Sequence, residues 1–214
     1  MRISTTVAAS TLLAGSCAPF AFAGTTFSSR SAFQSNATSS SIQLGSESFE
    51  SFVSDDGTFF STLDADGFAV ESVDTENDFI DPITVQGSAS GGFPTDGSNL
   101  LSISSFGPTT TTFTFDSPNN AVGFDLVDIL DFGGGDLTVA FDNGDAFTIA
   151  SGTLISGDSQ FFGYVGDAFS TMVIDNTDTG DQYGYDLVEF GAIPSPGVLS
   201  VLGLGGLAGV RRRR

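Results

Sequence analysis

The stretch Leu137-Thr138-Val139-Ala140-Phe141 decides the fold class, because large apolar residues alternate in it with small or polar ones. Alternation with a period of two is the pattern of a β-strand that buries one face. The turn-forming residues Asp142-Asn143-Gly144-Asp145 follow directly, and a second apolar run at 147–150 comes after them. Two such runs around an Asn-Gly pair predict a β-hairpin.

The register of this hairpin can be predicted from its apolar faces. A two-residue loop on Asn143-Gly144 would pair Asp142 with Asp145 and would put the large residues of the two strands on opposite faces. A shift by one residue pairs Phe141 with Phe147 and gives the large residues of both strands one common face. We therefore predict an odd-numbered loop, with a left-handed glycine and a bulge, and Phe141 packed with Phe147 in the core.

Similar short runs along the chain predict an all-β domain. They are rich in Phe, Val, Ile and Thr and are bounded by Gly, Asp, Asn and Pro. The predicted strands lie at residues 58–63, 68–73, 83–87, 100–104, 110–115, 121–127, 137–141, 147–150, 160–165, 170–174 and 185–191. No helical period is evident between the two ends of the chain, and residues 24–41 are expected to be loosely structured. Strands and turns at this spacing predict an antiparallel β-sandwich or jelly roll.

The charge of the chain is strongly negative and unevenly distributed. All six basic residues are arginines, and only Arg30 lies away from the two ends of the chain. Residues 24–210 hold that one arginine and all 26 acidic residues, a formal charge of −25. Such a surface repels phosphate backbones, so nucleic acid is excluded as a partner. With so few cations, solvent, counterions or a divalent metal must compensate the carboxylates.

Missing residue types exclude several kinds of catalysis. The chain has no His and no Lys, so it cannot build a Ser-His-Asp or Cys-His site, a Schiff-base lysine or a Walker phosphate loop. Paired carboxylates remain, and they could hydrolyse a glycosidic bond. That alternative ranks below a non-enzymatic role, because the chain has no Trp and only three Tyr to form sugar platforms. We therefore expect that the chain is not an enzyme.

The N-terminus has the pattern of a secretory signal peptide. A basic start at Arg2 precedes an apolar stretch at residues 7–15, and Ala21-Phe22-Ala23 stands before Gly24. This order predicts residues 1–23 as a signal peptide that is cleaved after Ala23. Cys17 follows an imperfect lipobox, which leaves a lipoprotein as the alternative; cleavage after Ala23 would remove this cysteine.

The C-terminus contains a second targeting pattern. Pro194, Ser195, Pro196 and Gly197 are followed by 13 residues of an apolar run, and Arg211, Arg212, Arg213 and Arg214 end the sequence. As a helix the run would be about 20 Å long, which is short for a bilayer core of about 30 Å. Because arginines stay on the cytoplasmic side, we predict a short apolar helix that anchors the chain transiently.

This proline motif, apolar run and arginine cluster closely resemble the PEP-CTERM sorting signal. The resemblance covers about the last 22 residues and differs at Ser195, where the family has a glutamate. It implies an exosortase-like processing enzyme as partner, export, contact with the membrane only through the tail, and an exopolysaccharide setting. Residues 92–101, 122–126, 161–165 and 185–191 also resemble sandwich domains found ahead of such tails, which implies the fold and no activity.

Two ligand classes are open for the central domain. Asp175, Asp178 and Asp181 are weak candidates to supply oxygens to calcium, because turns between strands explain them better and no EF-hand is present. A carbohydrate-binding module is the alternative to a structural or adhesive domain. Its candidate platforms, besides Phe, are Tyr164, Tyr183 and Tyr185, which could also be core residues.

The sequence thus predicts three parts: a signal peptide at 1–23, a β-sandwich at 24–191 and a PEP-CTERM-like tail at 192–214. No organic cofactor is expected. The predicted function is that of an exported bacterial cell-envelope or extracellular-matrix protein with a structural or adhesive role.

Overall fold

The structure is a computed structural model that describes residues 24–53, 59–75, 83–87, 93–104, 107–130, 135–152, 158–177 and 182–194. The predicted signal peptide, residues 1–23, and the residues from Ser195 onward lie outside these ranges. Within them the fold is all-β and antiparallel apart from one short helix, as predicted.

The described elements are eleven strands and one helix. They are β1 Thr25–Phe27, α1 Arg30–Ser39, β2 Gln43–Glu47, β3 Thr62–Ala65, β4 Phe68–Asp74, β5 Ile83–Gly87, β6 Asn99–Ser104, β7 Thr109–Val127, β8 Gly135–Phe141, β9 Ala146–Gly152, β10 Ser159–Asn176 and β11 Gln182–Ala192. The strands are hydrogen-bonded in the order β5-β6-β11-β7-β10-β8-β9, with β1 added to β10, β2 to β11, and the β3–β4 pair to β7.

The sandwich arises because the longest strands bend and contribute to both layers. Phe113 and Phe124 lie eleven positions apart on β7, a span of roughly 36 Å in a straight strand, yet their ring centroids are 6.3 Å apart. Tyr185 of β11 packs edge-on against both rings, at 5.3 Å and 5.7 Å. The first half of β7 therefore faces its second half across a shared core.

The prediction divided two continuous strands. Residues 110–115 and 121–127 belong to β7, and residues 160–165 and 170–174 belong to β10. Pro118 does not end β7, because the β7–β10 ladder skips from Asn119 to Thr114 and leaves no hydrogen bond there for proline to break. The register of β10 also shifts between Val165 and Thr171, and this irregularity marks the bend.

The expectation of a loose segment at 24–41 is wrong. Helix α1 buries Phe33 and Ala37, which are four residues apart on one face. They form a second, smaller core with Ile42 and Ala121. The helix was missed because only these two positions are apolar and buried, too few for a helical period to show. Strand β2 was also missed, and β3 begins at Thr62 rather than at residue 58.

The hairpin of β8 and β9 has the predicted odd loop with a left-handed glycine, but the predicted pairing of Phe141 with Phe147 is wrong by two residues. Phe141 N donates to Asp145 O at 2.9 Å and Gly144 N donates to Phe141 O at 3.0 Å, which closes a loop of residues 142–144. Gly144 has a φ of +98°, the left-handed glycine of such a loop. Val139, not Phe141, lies opposite Phe147, and both phenylalanine rings pack on Tyr164, at 4.1 Å for Phe141 and 5.9 Å for Phe147.

The two ends of the described chain lie beside one residue, Gly166. A Cβ atom added to Gly166 would lie 3.1 Å from the Cα atom of Gly24. At the other end, Ile193 lines a cavity together with Gly166, and Ile193 N donates to Asn120 Oδ1 at 3.1 Å. Asn120 in turn donates to the carbonyl oxygen of Gly166. Both ends of the domain therefore emerge at one place.

Candidate functional site

An open groove lies between β1 and β9, over the first half of β10. Strand β1 pairs with β10 at Phe27↔Gly163, while β9 reaches the same region through its pairing with β8. The groove has a volume of about 220 Å³ and is lined by Thr26, Phe27, Ser28, Phe147, Thr148, Ile149, Gln160, Phe161 and Phe162. None of these nine residues is charged, although the chain has 26 acidic residues.

The aromatic rings of the groove pack against other rings of the protein. Phe27 and Phe161 both contact Phe33 of α1, at centroid distances of 6.2 Å and 5.7 Å. Phe147 rests on Tyr164. Phe27, Phe147 and Phe161 are each only partly buried, so they present fixed apolar surface to solvent.

The polar groups of the groove are hydroxyls and one amide. Thr26, Ser28 and Thr148 are exposed. The Gln160 side chain donates to the backbone oxygen of Ile149 at 3.0 Å and so connects β10 to β9. Fixed apolar rings beside neutral hydrogen-bonding groups are the composition of a site for an uncharged polar molecule.

The three tyrosines predicted as possible sugar platforms are all core residues. Their exposed fractions are 0% for Tyr164, 2% for Tyr183 and 0% for Tyr185. Tyr183 donates to or accepts from Thr109 at 2.6 Å. Of the two interpretations left open by the sequence, the structure therefore shows the core one. Phe59 and Phe93, which are 67% and 46% exposed, are the phenylalanines that stand out on the described surface.

Arg30 is surrounded by acceptors near the groove. Its Nη2 atom lies 3.1 Å from Asp125 Oδ1, and its Nη1 atom contacts Glu189 Oε2. Gln34 donates to the other Glu189 oxygen at 2.7 Å. The guanidinium also lies 4.7 Å from the centroid of Phe161, so it supports the ring that lines the groove.

Asp186 lies beside Asp125 in the β11–β7 ladder and is fully buried. Its carboxylate accepts backbone hydrogen bonds from Thr95, Asp96 and Leu187 at 2.6 Å, 2.8 Å and 2.7 Å. Burial raises the pKa of Asp186, and these hydrogen bonds oppose the rise. A substrate cannot reach a carboxylate that is enclosed in this way, so the Asp125–Asp186 pair lacks the open cleft of a glycoside hydrolase.

Backbone N–H groups compensate other carboxylates in place of cations. Glu47 accepts from Phe49 N at 2.6 Å. Glu50 accepts from Ser98 N at 2.6 Å and from Asn99 N at 2.7 Å, and so ties two loops together. These contacts show how an acidic chain with one internal arginine stabilises part of its charge.

The predicted calcium ligands are only partly described. Asp175 is an exposed residue near the end of β10, and its Oδ1 atom accepts from Thr110 at 2.6 Å. Asp178 and Asp181 lie outside the described residues. Within the part of the chain that is described, no group of three potential ligands is arranged to hold a metal ion.

Most of the predicted targeting residues also lie outside the described part. Ala23, Ser195, Pro196, Gly197 and the four terminal arginines are among them, whereas Pro194 is the last described residue. In the described segments no helix has the length and apolar character needed to cross a bilayer.

No protein-family model and no curated protein matches the chain. Among solved structures, the chain is similar to the K2 cleaved adhesin domain of Lys-gingipain, with a TM-score of 0.47 and 13% identity over 69% of this chain and 99% of that one. It is also similar to TmCBM61 in complex with β-1,4-galactotriose, with a TM-score of 0.31 and 13% identity over 58% of this chain and 88% of that one.

A third similar structure is the CBM22-1–GH10 part of Clostridium thermocellum xylanase 10B with xylohexaose. The TM-score is 0.33 and the identity 13%, over 68% of this chain and 28% of that one. Likenesses at these identities concern the β-sandwich fold alone, so the function has to be argued from the residues of this chain.

Proposed function

We propose that the chain is an exported, non-catalytic β-sandwich of the bacterial envelope or extracellular matrix, and that it adheres to an uncharged polysaccharide through the groove between β1 and β9. The observation that carries the proposal is the absence of charge among the nine groove residues of a very acidic protein.

The groove offers what a neutral sugar needs. The partly exposed rings of Phe27, Phe147 and Phe161 can pack on sugar C–H groups, and the neighbouring hydroxyls and the Gln160 amide can exchange hydrogen bonds with sugar hydroxyls. An anionic glycan would be repelled by the surrounding carboxylates.

The groove is small, so it would hold a short part of a polysaccharide and bind that part weakly. Its volume of about 220 Å³ is below the roughly 300–1,000 Å³ of ordinary small-molecule pockets. Adhesion would then depend on many copies acting on one polymer, because linked weak sites gain affinity from their high effective concentration.

Export is supported by the two terminal patterns. A basic residue, an apolar stretch and Ala-Phe-Ala stand in this order before Gly24, which supports cleavage of a signal peptide. The Pro-Ser-Pro-Gly motif, apolar run and arginine cluster support sorting by an exosortase-like enzyme, with transient anchoring in the membrane. Intact-mass spectrometry of the protein from its host should show a chain that starts at Gly24 and lacks Arg211–Arg214; a full-length chain in the outer envelope would contradict this.

Binding to a panel of neutral and acidic polysaccharides, with and without calcium, tests the adhesive function. We expect retention of the protein on neutral polymers and an at least several-fold loss with Phe147→Ala. Phe59→Ala is the matched control, because Phe59 is exposed and does not line the groove. Circular dichroism of both variants checks the fold. Equal binding by both variants, or preference for acidic polymers, would contradict the proposal.

A further inference from the structure

The hydroxyl of Tyr164, the carboxylate of Asp145 and the backbone of Gly24 meet at one point near the start of β1. Tyr164 donates to Asp145 Oδ2 at 2.7 Å. Asn143 donates to the Tyr164 oxygen at 2.9 Å and to the backbone oxygen of Asp167 at 2.8 Å, and it accepts from Asp145 N at 3.0 Å. The Asp145 carboxylate is thus held in one orientation.

The backbone of Gly24 lies very close to this carboxylate. A Cβ atom added to Gly24 would clash with Asp145 Oδ2 and would lie 2.5 Å from the Tyr164 ring. Since the α-nitrogen is two bonds of about 1.5 Å from that position, it lies within about 5 Å of Asp145 Oδ2. The pairing of Thr25 with Val165 fixes the chain here.

In the described part of the chain no side-chain cation pairs with Asp145. Between residues 24 and 194 the sequence has one basic residue, Arg30, and its guanidinium contacts Asp125 and Glu189. Tyr164 and Asp167 also face this point, and both Asp145 and Asp167 act on Tyr164 by their charge. The site therefore has negative charge and no arginine of its own.

The geometry points to a docking site for the mature N-terminus: the α-ammonium group of Gly24, released by cleavage after Ala23, forms a salt bridge with Asp145. The inference rests on the signal-peptide cleavage of the proposed function and adds a structural role for the new terminus.

The chemistry of maturation supplies the missing cation. A signal peptidase hydrolyses the peptide bond between Ala23 and Gly24: the C–N bond breaks, the water oxygen joins the Ala23 carbonyl carbon, and the Gly24 nitrogen takes up protons. Before cleavage this nitrogen is a neutral amide. Afterwards it is an amine with an ordinary pKa of about 7.7–8.0, which is protonated at neutral pH.

Acetylation of the terminus provides a direct test, because the chain has no lysine and the α-amino group is therefore the only primary amine of the processed protein. The secreted protein is first shown by mass to begin at Gly24. We expect acetylation to lower its melting temperature by a few degrees near neutral pH, and to have no effect on Asp145→Asn. Asp64→Asn, at an exposed position in β3, is the matched control and should respond like the wild type.

The rate of acetylation gives a second readout that does not depend on the variants. A carboxylate neighbour raises the pKa of the α-amino group, so the native protein should react several-fold more slowly near neutral pH than the same protein in urea. The stabilisation should be complete below the ordinary pKa and should disappear as the pH rises through the raised value in the folded protein.

Three outcomes would overturn the inference: equal reaction rates in the native and unfolded protein, an equal effect of acetylation on the wild type and Asp145→Asn, or a mature chain that begins elsewhere than Gly24. The last would also refute the predicted cleavage site, whereas the first two would leave export and polysaccharide binding unaffected. If Asp145→Asn does not fold, the rates measured on the wild type decide.

Discussion

Arg30 Nη2 lies 3.1 Å from Asp125 Oδ1 and connects helix α1 to the C-terminal end of β7. The guanidinium also contacts Glu189 on β11 and the ring of Phe161 on β10. One side chain thus joins the helix to three strands of the sheet. The side chains of Asp125 and Glu189 are only 15% and 10% exposed, and Arg30 is the cation that both carboxylates share among the described residues.

Replacing Arg30 should therefore cost more than the loss of a surface ion pair. We expect Arg30→Met to lower the free energy of unfolding by about 2–3 kcal/mol, because two poorly hydrated carboxylates lose their cation. Urea denaturation measures the change. Arg30→Lys keeps the charge but not the planar fork, and should recover about half of the loss. A change in Arg30→Met of the size expected for a surface pair, below about 1 kcal/mol, would contradict this assignment.

Thr84 should tolerate loss of its hydroxyl group. The Oγ1 atom is buried in β5 and has no hydrogen-bond partner among the described residues. We expect Thr84→Val to stabilise the protein by up to about 1 kcal/mol, because a buried unpaired polar group is replaced by a methyl group of similar shape. Thr109→Val is the matched variant and should destabilise, since its hydroxyl bonds to Tyr183 at 2.6 Å. Equal changes in thermal unfolding would contradict both assignments.

Substitution of Gly144 should destabilise the protein because of its backbone conformation alone. Its φ is +98°, and no atom of the described residues lies within 4 Å of an added Cβ atom. Gly144→Ala should therefore destabilise by about 1–2 kcal/mol through backbone strain without any clash. Gly45→Ala is the control, because an added Cβ there has its nearest neighbour at 4.0 Å and no positive φ. If the control were equally destabilised, the loop geometry would not be the cause.

Asp186 should produce a pH dependence of stability. Burial raises its pKa in the folded protein, so the folded form binds a proton more readily than the unfolded form does. The stability advantage of wild type over Asp186→Asn should thus be largest at acidic pH and should fall as the pH rises through the raised pKa. Chemical denaturation across the acidic range measures this difference. An advantage that grew with pH would show that the hydrogen bonds to the carboxylate outweigh burial.

Calcium should stabilise the protein more than sodium chloride does at equal ionic strength. The chain has a large excess of carboxylates, and Asp175 is an exposed example. Repulsion between these carboxylates opposes folding, and a divalent cation can reduce it. Thermal unfolding in the two salts measures the effect. Asp175→Asn should reduce the calcium-specific part, and Asp64→Asn should not. Equal shifts in both salts would mean that screening alone acts.

Period-two alternation predicted the fold class and the odd hairpin loop, because local sequence determines which face of a strand is buried. It did not predict that β7 and β10 run through both layers. Thr110–Phe115 and Ala121–Val127 read as two strands because Pro118 stands between them. Only the partners of β7 reveal that this proline lies where the ladder with β10 is interrupted.

The groove could not be predicted, since it is assembled from strands that are distant in sequence. Phe27 lies in a segment rich in Ser and Thr, and Phe147 and Phe161 lie in runs typical of core strands. Nothing local distinguishes a phenylalanine that borders a groove from one in the core. The sequence also left open whether the tyrosines are platforms or core residues, and the structure shows that Tyr164 and Tyr183 are buried with their hydroxyls hydrogen-bonded internally.

The pairing of the last strand has a mechanical consequence. Strand β11 bonds to β7 along one side and to β6 and β2 along the other, and it leads directly to Pro194. A force between a polymer in the groove and Pro194 would be distributed in shear over many hydrogen bonds at once. Strand β1, by contrast, has three residues and pairs only with β10 among the described strands. A pull through Gly24 would peel it away one bond at a time, so the domain resists load far better from its C-terminal end.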